Sequence, residues 1–220
     1  GPSGNRTDRA PTATSGMDIR TAGIVTIRTR RGSSPLARSL PMRAIAAVLF
    51  DRDHTLTIDD PPYNGDPDLV KPFPGAIEAV AAARAAGLPV GVVTNQAGIG
   101  LGLLTPEQVE AVNARVDELI GPFDTWQYCP HAPVDECSCR KPAPGLVLRA
   151  ADALQVPVEQ VVVIGDTVMD VGAAEAAGAI GIYVRTDRTR PSEVRRCPIV
   201  VNDIGAAVDW VLQQQAGDAA

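Results

Sequence analysis

The chain has 220 residues, a formal net charge of −6 and a sequence pI of about 4.9; 45% of its residues are hydrophobic and 4% are aromatic. This length fits one domain with a sizeable core. The acidic balance argues against non-specific binding of duplex nucleic acid, and the few aromatic residues argue against base stacking on single strands. No apolar run approaches the length of a membrane span.

Residues 1–41 differ in composition from the rest of the chain. They contain seven arginines against two aspartates, a net charge of +5, so the remaining residues carry −11. The segment is rich in Gly, Pro, Ser and Thr, and we expect it to be a disordered or vector-derived leader. A basic arm for an anionic partner, or a targeting peptide, is the functional alternative. The domain is expected to span residues 42–215, with a tail at 216–220.

Short apolar runs alternate with helix-like segments from Arg43 onward. The predicted strands are Ala44–Phe50, Leu88–Thr94, Thr125–Tyr128, Val161–Gly165 and Ala179–Val184. The predicted helices are Gly75–Ala86, Thr105–Ile120, Gly145–Leu154, Val168–Ala177 and Ile204–Gln214. This alternation predicts an α/β fold, a doubly wound, Rossmann-like parallel sheet. Only about twenty residues separate Thr55 from Gly75, so no large cap domain is expected.

Two aspartates directly follow the first predicted strand. Asp51 and Asp53 leave the strand end on the same side, because side chains alternate along a strand. Two like charges at this place favour a site for a divalent cation and a phosphate, since ligands bind at the carboxyl edge of open α/β sheets. One carboxylate can then attack phosphorus while the other transfers protons.

Three other predicted strands or loops supply groups suited to phosphoryl transfer. They are Thr94-Asn95-Gln96, Arg140-Lys141 and Gly165-Asp166. Hydroxyl and amide groups can donate to phosphoryl oxygens, and the two cations can neutralise the transferring group. Asp166 can join Asp51 in the hard oxygen site that Mg²⁺ prefers. Each motif alone is common in turns and helix caps, but four in this order predict a phosphoryl-transfer site.

Three cysteines and a histidine lie within eleven residues of the chain. Cys129, His131, Cys137 and Cys139 have the number and softness of ligands of a closed tetrahedral zinc site. Free buried cysteines are the alternative, and the acidic surroundings disfavour a nucleic-acid zinc module. Such thiolates fit a reducing cytoplasm. We expect zinc to fix the Arg140-Lys141 pair that follows Cys139 in this zinc-binding loop.

Together these motifs resemble the haloacid dehalogenase (HAD) superfamily of phosphatases over about residues 44–190. The resemblance rests on Asp51-x-Asp53-x-Thr55, Thr94-Asn95-Gln96, Cys129-Pro130-His131 through Cys139-Arg140-Lys141-Pro142, and Gly165-Asp166-x-x-x-Asp170. Within the superfamily, the motifs are most similar to the branch of heptose bisphosphate and histidinol-phosphate phosphatases. A HAD-like sheet is therefore the expected fold.

The resemblance implies a role for each motif. Asp51 is expected to be the nucleophile and Asp53 the acid and base, while Thr94 and Lys141 stabilise the phosphoryl group. Mg²⁺ would be held by Asp51, by the backbone carbonyl of Asp53 and by Asp166. Asp170 would either bind the outer shell of the metal or orient Lys141. Substrate contacts are expected from Asp59, Asp60, Pro61, Pro62, Thr94, Asn95, Gln96, Ala97, Arg140 and Lys141.

The resemblance further implies a Mg²⁺-dependent phosphomonoesterase that forms an aspartyl-phosphate and acts on a small sugar phosphate. A heptose 1,7-bisphosphate that loses its 7-phosphate is the first expectation, because residues 141–145 are closer to that branch. Histidinol phosphate is the second, favoured by the five-residue gap between His131 and Cys137. A catalytically inactive binding protein is the alternative of another class. We expect a cytoplasmic monomer that binds a small phosphate ester and neither nucleic acid nor membrane.

Three positions depart from the pattern of that branch. His54 stands where the relatives usually carry Gly, which often marks a backbone with positive φ. It is either a tolerated loop residue or an extra contact to the phosphate or leaving group. Leu101 stands where relatives often have Arg, and Thr167 where some heptose phosphatases have Lys. With two cations missing, a bisphosphate substrate is less strongly indicated.

Overall fold

The computed structural model describes Thr26–Ile27 and residues 44–217. Within this part of the chain, seven strands form one sheet: β1 Thr26–Ile27, β2 Ala47–Phe50, β3 Val90–Asn95, β4 Thr125–Cys129, β5 Val161–Gly165, β6 Ile180–Val184 and β7 Ile199–Val201. The strand order is β1-β7-β6-β5-β2-β3-β4. All neighbours are parallel except β1, which pairs antiparallel with β7. The predicted doubly wound sheet is confirmed.

The five predicted strands are present, Val161–Gly165 with the predicted ends and the other four with shifted ends, and two strands were not predicted. The β7 strand has only three residues, too few for a periodic pattern. The two residues of β1 lie in the leader that was expected to be disordered, and they pair with β7. The other leader residues and residues 218–220 lie outside the described part of the chain, while residues 216 and 217 end the last helix.

Helices and short turns connect the strands. The α-helices are α1 Ala76–Ala85, α2 Ala97–Gly100, α3 Pro106–Ile120, α4 Gly145–Ala153, α5 Val168–Ala177, α6 Pro191–Val194 and α7 Ile204–Gly217. The predicted capping box opens α3, since Thr105 Oγ1 accepts from the Gln108 amide nitrogen and Gln108 Oε1 from that of Thr105. Single-turn helices α2 and α6 were not predicted. No helix in the described residues is both long and apolar enough to cross a membrane.

Side chains of β2 alternate between two cores. Val48 and Phe50 pack in the core formed with α1, α3 and α7, whereas Ala47 and Leu49 pack in the core formed with α4 and α5. All four are fully buried. A strand buried on both faces gives a continuous apolar run, which is typical of parallel sheets. Burial on both faces fixes where β2 ends, and Asp51 follows at the carboxyl edge of the sheet.

The register brings the predicted motifs to one edge. Phe50 pairs with Val92 of β3 and with Ile164 of β5. The loops that follow β2, β3, β4 and β5 therefore begin beside one another. The loop after β2 runs from residue 51 to 75 and contains a single 3₁₀ turn, Pro67–Leu69, so no large cap domain is inserted there.

Candidate active site

Three buried carboxylates and one buried lysine meet at the carboxyl edge of the sheet. Oxygen atoms of Asp51, Asp166 and Asp170 lie within 4.8 Å of one another. Lys141 Nζ lies 2.8 Å from Asp51 Oδ1, donates to Asp170 Oδ1 at 2.5 Å and donates to the Val93 carbonyl at 2.9 Å. These acceptors use the three N–H groups of the ammonium. We call Asp51, Asp166, Asp170 and Lys141 the carboxylate cluster.

The carboxylate cluster has less positive than negative charge. Burial raises the pKa of Asp51 well above its usual range, and the neighbouring Asp170 raises it further although Lys141 opposes the rise. Burial likewise raises the pKa of Asp166 to about 7, with Asp170 adding to the effect. Burial would lower the pKa of Lys141, but Asp170 and Asp51 outweigh it and raise that pKa. One lysine therefore faces three carboxyls that burial makes costly to ionise.

Asp166 has the features of a metal ligand. Its Oδ1 atom is buried and has no hydrogen-bond partner, which is uncommon for a buried polar atom. Mg²⁺ is bound by carboxylate and carbonyl oxygens. The orphaned oxygen and the deficit of positive charge thus fit a divalent cation between Asp51 and Asp166.

Asp170 uses its oxygens inside the protein. Its Oδ1 accepts from Lys141, while its Oδ2 accepts from the Thr167 backbone nitrogen at 3.1 Å and from Thr167 Oγ1 at 2.6 Å. A Cβ atom on Gly165 would collide with the Asp170 carboxyl group, so a glycine is required at that position. Of the two predicted roles for Asp170, the geometry favours orientation of Lys141.

Asp53 is half-buried and receives three side-chain hydrogen bonds. Arg52 donates from Nε to Oδ1 at 2.8 Å and from Nη2 to Oδ2 at 3.2 Å, and Gln96 Nε2 donates to Oδ2 at 2.9 Å. Burial raises the pKa of Asp53, but Arg52 and then Gln96 outweigh burial, so the pKa is lowered. Asp53 is therefore ionised in the resting protein at neutral pH.

Arg52 and Asn113 are site residues that sequence reasoning missed. Arg52 is buried, and its Nη1 donates to Asn113 Oδ1 of α3 at 2.8 Å. The position of Arg52 between the two aspartates was the one available signal. Asn113 gave none, because it lies 61 residues away in the middle of a helix.

The three polar residues after Val93 contact other site residues. Thr94 is buried, and its Oγ1 accepts from Gln96 Nε2 at 2.9 Å. Asn95 bonds both backbone polar groups of Lys141: Oδ1 accepts from the nitrogen at 3.0 Å, and Nδ2 donates to the oxygen at 3.2 Å. The amide of Asn95 therefore positions Lys141. The predicted substrate contacts of Thr94, Asn95 and Gln96 stay predictions.

Two buried polar atoms beside the site also have no partner. They are Arg140 Nη1 and Thr55 Oγ1. An unpartnered guanidinium nitrogen next to Lys141 is a donor available to an anionic substrate, in keeping with the contact predicted for Arg140. Ala97 is buried at the start of α2, beside Gln96.

The loop after Asp53 lies on one side of the carboxylate cluster. His54 has a φ of 61°, in the left-handed region that favours glycine. Its Nε2 lies 3.8 Å from Asp59 Oδ2, and its imidazole contacts the guanidinium of Arg188. Burial, and then Asp53, raises the pKa of Asp59 to about 6, while Arg52 and Arg188 oppose the rise. The other predicted contacts in this loop, Asp60, Pro61 and Pro62, are exposed.

The predicted zinc ligands form a second cluster, which we call the thiolate cluster. The Sγ atoms of Cys129, Cys137 and Cys139 and the Nδ1 atom of His131 lie within 4.8 Å of one another. The closest pairs are separated by 3.3–3.5 Å. In a tetrahedral site with Zn–S bonds of about 2.3 Å, neighbouring sulfur atoms are roughly 3.8 Å apart. The observed separations are slightly shorter, so the four atoms are close to the arrangement that holds a zinc ion. The four ligands, three thiol sulfurs and one imidazole nitrogen, and the distances between them fit zinc.

Comparisons with known proteins agree with this geometry. The family model of the haloacid dehalogenase-like hydrolases matches residues 62–178. The matched range begins after Asp51 and Asp53, so the assignment of these two aspartates rests on the motif and on the geometry.

Named relatives match most of the chain. The D-glycero-beta-D-manno-heptose-1,7-bisphosphate 7-phosphatase of Pseudomonas putida is 34% identical over 166 residues, covering 72% of this chain and 95% of the relative. The enzyme of that name from Pseudomonas aeruginosa is 33% identical over 173 residues, covering 76% and 97%. The crystal structure of D,D-heptose 1,7-bisphosphate phosphatase from B. bronchiseptica, complexed with magnesium and phosphate, gives a TM-score of 0.68 at 29% identity, covering 77% and 99%.

Proposed function

Because this chain belongs to the haloacid dehalogenase-like hydrolases, we propose that it is a Mg²⁺-dependent phosphatase that removes the 7-phosphate of D-glycero-D-manno-heptose 1,7-bisphosphate. The proposal rests on one observation: Lys141 lies between Asp51 and Asp170, beside the unpartnered oxygen of Asp166. Relatives named for this activity support it, since they are matched over more than nine-tenths of their length.

The first half-reaction would begin at Asp51. A carboxylate oxygen of Asp51 attacks phosphorus, and a new O–P bond forms while the bond from phosphorus to the substrate oxygen breaks. Asp53 gives a proton to the departing oxygen. The products of this half-reaction are an aspartyl-phosphate on Asp51 and the dephosphorylated sugar.

The second half-reaction would use Asp53 as a base. Asp53 takes a proton from water, the water oxygen bonds to phosphorus, and the bond from phosphorus to Asp51 breaks. The lowered pKa of Asp53 suits this role. An approaching phosphate ester brings negative charge, which raises the pKa of a nearby carboxyl group and so allows Asp53 to hold the proton needed earlier.

Mg²⁺ would be held by Asp51, by the backbone carbonyl of Asp53 and by Asp166. When bound, it would supply positive charge to the carboxylate cluster and to the phosphoryl oxygens. From the protein side, the ammonium of Lys141 and the hydroxyl of Thr94 would stabilise the phosphoryl group in transit.

Zinc in the thiolate cluster would position the loop that holds Arg140 and Lys141. Residues 129–144 contain a single 3₁₀ turn, Pro133–Asp135, so little regular structure orders them. Cys139 is two residues from Lys141, and the Arg140 amide nitrogen donates to Cys137 Sγ at 3.4 Å. An anchored loop lowers the entropy cost of placing the two cations.

Two alternatives remain open beside this proposal. Histidinol phosphate is favoured by the short gap between His131 and Cys137. A catalytically inactive binding protein is disfavoured, because the residues for the nucleophile, the acid and base and the phosphoryl cation are all present. The expected cytoplasmic location and monomeric state stay predictions.

A phosphate-release screen tests the proposal. The panel contains the heptose 1,7-bisphosphate, heptose 7-phosphate, histidinol phosphate and an aryl phosphate, each assayed with and without Mg²⁺. We expect the bisphosphate to have the highest kcat/KM and all hydrolysis to require Mg²⁺. The Asp51→Asn variant is the control for contaminating phosphatases, and metal content is measured on the same samples. A higher kcat/KM for histidinol phosphate would refute the proposed substrate. If Mg²⁺ stimulated no phosphate release from any compound, the proposed phosphatase activity would be refuted.

A further inference from the structure

The loop after β3 has no cation for a second phosphate. Residues 95–104 contain no basic residue, and Leu101 and Leu103 are 49% and 58% exposed. A substrate with two phosphates needs a second group of positive charges, because only the reacting phosphate meets Lys141. The cation at the far end of the substrate must therefore come from a loop after another strand, and Arg140 after β4 and the arginines after β6 are the candidates.

A pocket of about 610 Å³ opens on the opposite side of Asp51 from that loop. One wall comes from the loop after β2 and includes His54, Asp59 and Asp60, while the other comes from the loop after β6 and includes Arg185 and Arg188. His54 follows Asp53 directly, so the pocket adjoins the acid and base. Its volume is in the range of small-molecule sites.

The two arginines of this pocket are available to an anion. Neither has a carboxylate oxygen within 4.0 Å among the described residues. The side-chain contact of Arg188 is to the imidazole of His54, which is not a carboxylate, so the positive charge of Arg188 has no anionic partner among the described residues.

Carboxylates share the pocket with these cations. Asp59 and Asp60 lie on the wall after β2, and Asp187 lies between the arginines. Carboxylates accept hydrogen bonds from hydroxyl groups, whereas guanidinium groups bind phosphate with paired N–H donors. A pocket with both kinds of group suits a molecule that has hydroxyls near the reacting phosphate and an anion at its far end.

We propose that Arg185 and Arg188 bind the second phosphate of a bisphosphorylated sugar, in place of a cation in the loop after β3. This inference rests on the proposed function and adds the residues that select a bisphosphate over a monophosphate. The sugar lies along the acidic wall, with one phosphate at Lys141 and the other at the arginine wall.

The test compares two substrates that differ in the distal phosphate alone, heptose 1,7-bisphosphate and heptose 7-phosphate. The measured quantity is the ratio of their kcat/KM values. We expect the Arg188→Ala and Arg185→Ala variants each to lower this ratio about tenfold, because each removes a charge-assisted contact to phosphate. The Arg188→Lys variant keeps part of the ratio. The Arg190→Ala variant is the matched control, since Arg190 is exposed in the same loop and does not line the pocket.

A double variant, Arg185→Ala with Arg188→Ala, makes the outcome decisive. An unchanged ratio in this variant overturns the inference while leaving the proposed phosphatase intact. Calorimetric binding of both heptose phosphates to the Asp51→Asn protein is a second readout that does not need turnover. If the wild-type protein releases no phosphate, the proposed function fails by itself. In that case, the binding measurement still tests the subsite. If removal of the two arginines leaves the ratio of the affinities for the bisphosphate and the monophosphate unchanged, the subsite is overturned.

Discussion

The carboxylate cluster and the thiolate cluster are two residues apart in the chain, at Cys139 and Lys141, yet the chain orders them differently. The three carboxylates of the carboxylate cluster stand on regular structure: Asp51 follows β2, Asp166 follows β5 and Asp170 lies in the first turn of α5. The thiolate cluster stands on the end of β4 and on a loop with a single 3₁₀ turn. The sheet fixes the backbone that carries the carboxylates, whereas the loop that carries the thiolate cluster has few backbone hydrogen bonds of its own.

This difference predicts what each metal contributes. At the three carboxylates, the sheet and α5 fix the backbone without an ion, and the ion relieves repulsion among buried like charges. In the thiolate cluster, the ion cross-links a loop whose order would otherwise cost conformational entropy. Loss of Mg²⁺ should leave a folded but inactive site, whereas loss of zinc should loosen the loop that holds Lys141.

The largest effect is expected when Lys141 is replaced by methionine. This substitution leaves Asp51 and Asp170 buried without their cation, so we expect destabilisation by about 3 kcal/mol in metal-free protein at pH 8. We also expect kcat to fall by on the order of 10³, since a donor to the phosphoryl group is lost. Urea unfolding and phosphate release measure the two effects. Lys71→Met, at an exposed position, is the control. If Lys141→Met were as stable as the wild type, the carboxylate cluster would not depend on the positive charge of Lys141.

A smaller, more selective loss is expected for Arg52→Ala. Arg52 holds both oxygens of Asp53, so its loss should misplace the proton donor and lower kcat by about 10–100-fold on alkyl phosphates. The loss should be several-fold smaller on p-nitrophenyl phosphate, because an aryl oxide needs less protonation to depart. Arg52→Lys should restore part of the rate, and Arg115→Ala, at a half-buried position in α3 that pairs with Glu118, is the control. Equal losses on both substrates would contradict a role through Asp53.

The Cys137→Ser variant tests the thiolate cluster. We expect it to lose zinc and to lower kcat about tenfold or more, because Lys141 becomes less well positioned while the sheet stays folded. Cys197→Ser is the matched control, since Cys197 is buried outside the cluster. Zinc content and kcat are measured on the same preparation. Full activity in a folded, zinc-free variant would show that zinc does not position Lys141.

The parts of this site that follow from local sequence could be predicted, and the long-range contacts could not. The apolar run before Asp51 gave the strand end, and the cysteine spacing gave the thiolate cluster. The pairs Asn95–Lys141 and Arg52–Asn113 join residues 46 and 61 positions apart. Such pairs depend on how loops and helices meet in three dimensions, which neither hydrophobic periodicity nor motif spacing reports. The β7 strand was missed because three residues are too few to establish a period.

The pH dependence of metal stabilisation is a further test of the carboxylate cluster. The pKa of Asp166 is raised to about 7 in the metal-free protein, above its value in an unfolded chain. The stability that this carboxyl contributes is present at acid pH and is lost as the pH rises through 7. Mg²⁺ binds the ionised carboxylate, so we expect it to raise the Tm more at pH 8 than at pH 5.5, by about 2–4 °C. Asp166→Asn should remove the difference, and equal shifts in the wild type at both pH values would contradict it.

The smallest expected effect concerns one backbone residue beside each cluster, His54 with a φ of 61° and Glu136 with a φ of 44°. A side chain with a Cβ costs roughly 1 kcal/mol in this conformation, and glycine does not. The Tm of His54→Gly should therefore be about 2–4 °C higher than that of His54→Ala, with or without zinc. Glu136 lies in the loop that zinc is expected to order. The Tm values of Glu136→Gly and Glu136→Ala should therefore differ only in zinc-loaded protein. Glu78, inside α1, is the control position: there the Glu78→Ala variant should be more stable than Glu78→Gly, because glycine is unfavourable inside a helix. If the Glu136 pair also differed without zinc, that loop would be ordered by its own contacts, and the contrast between the two clusters would not hold.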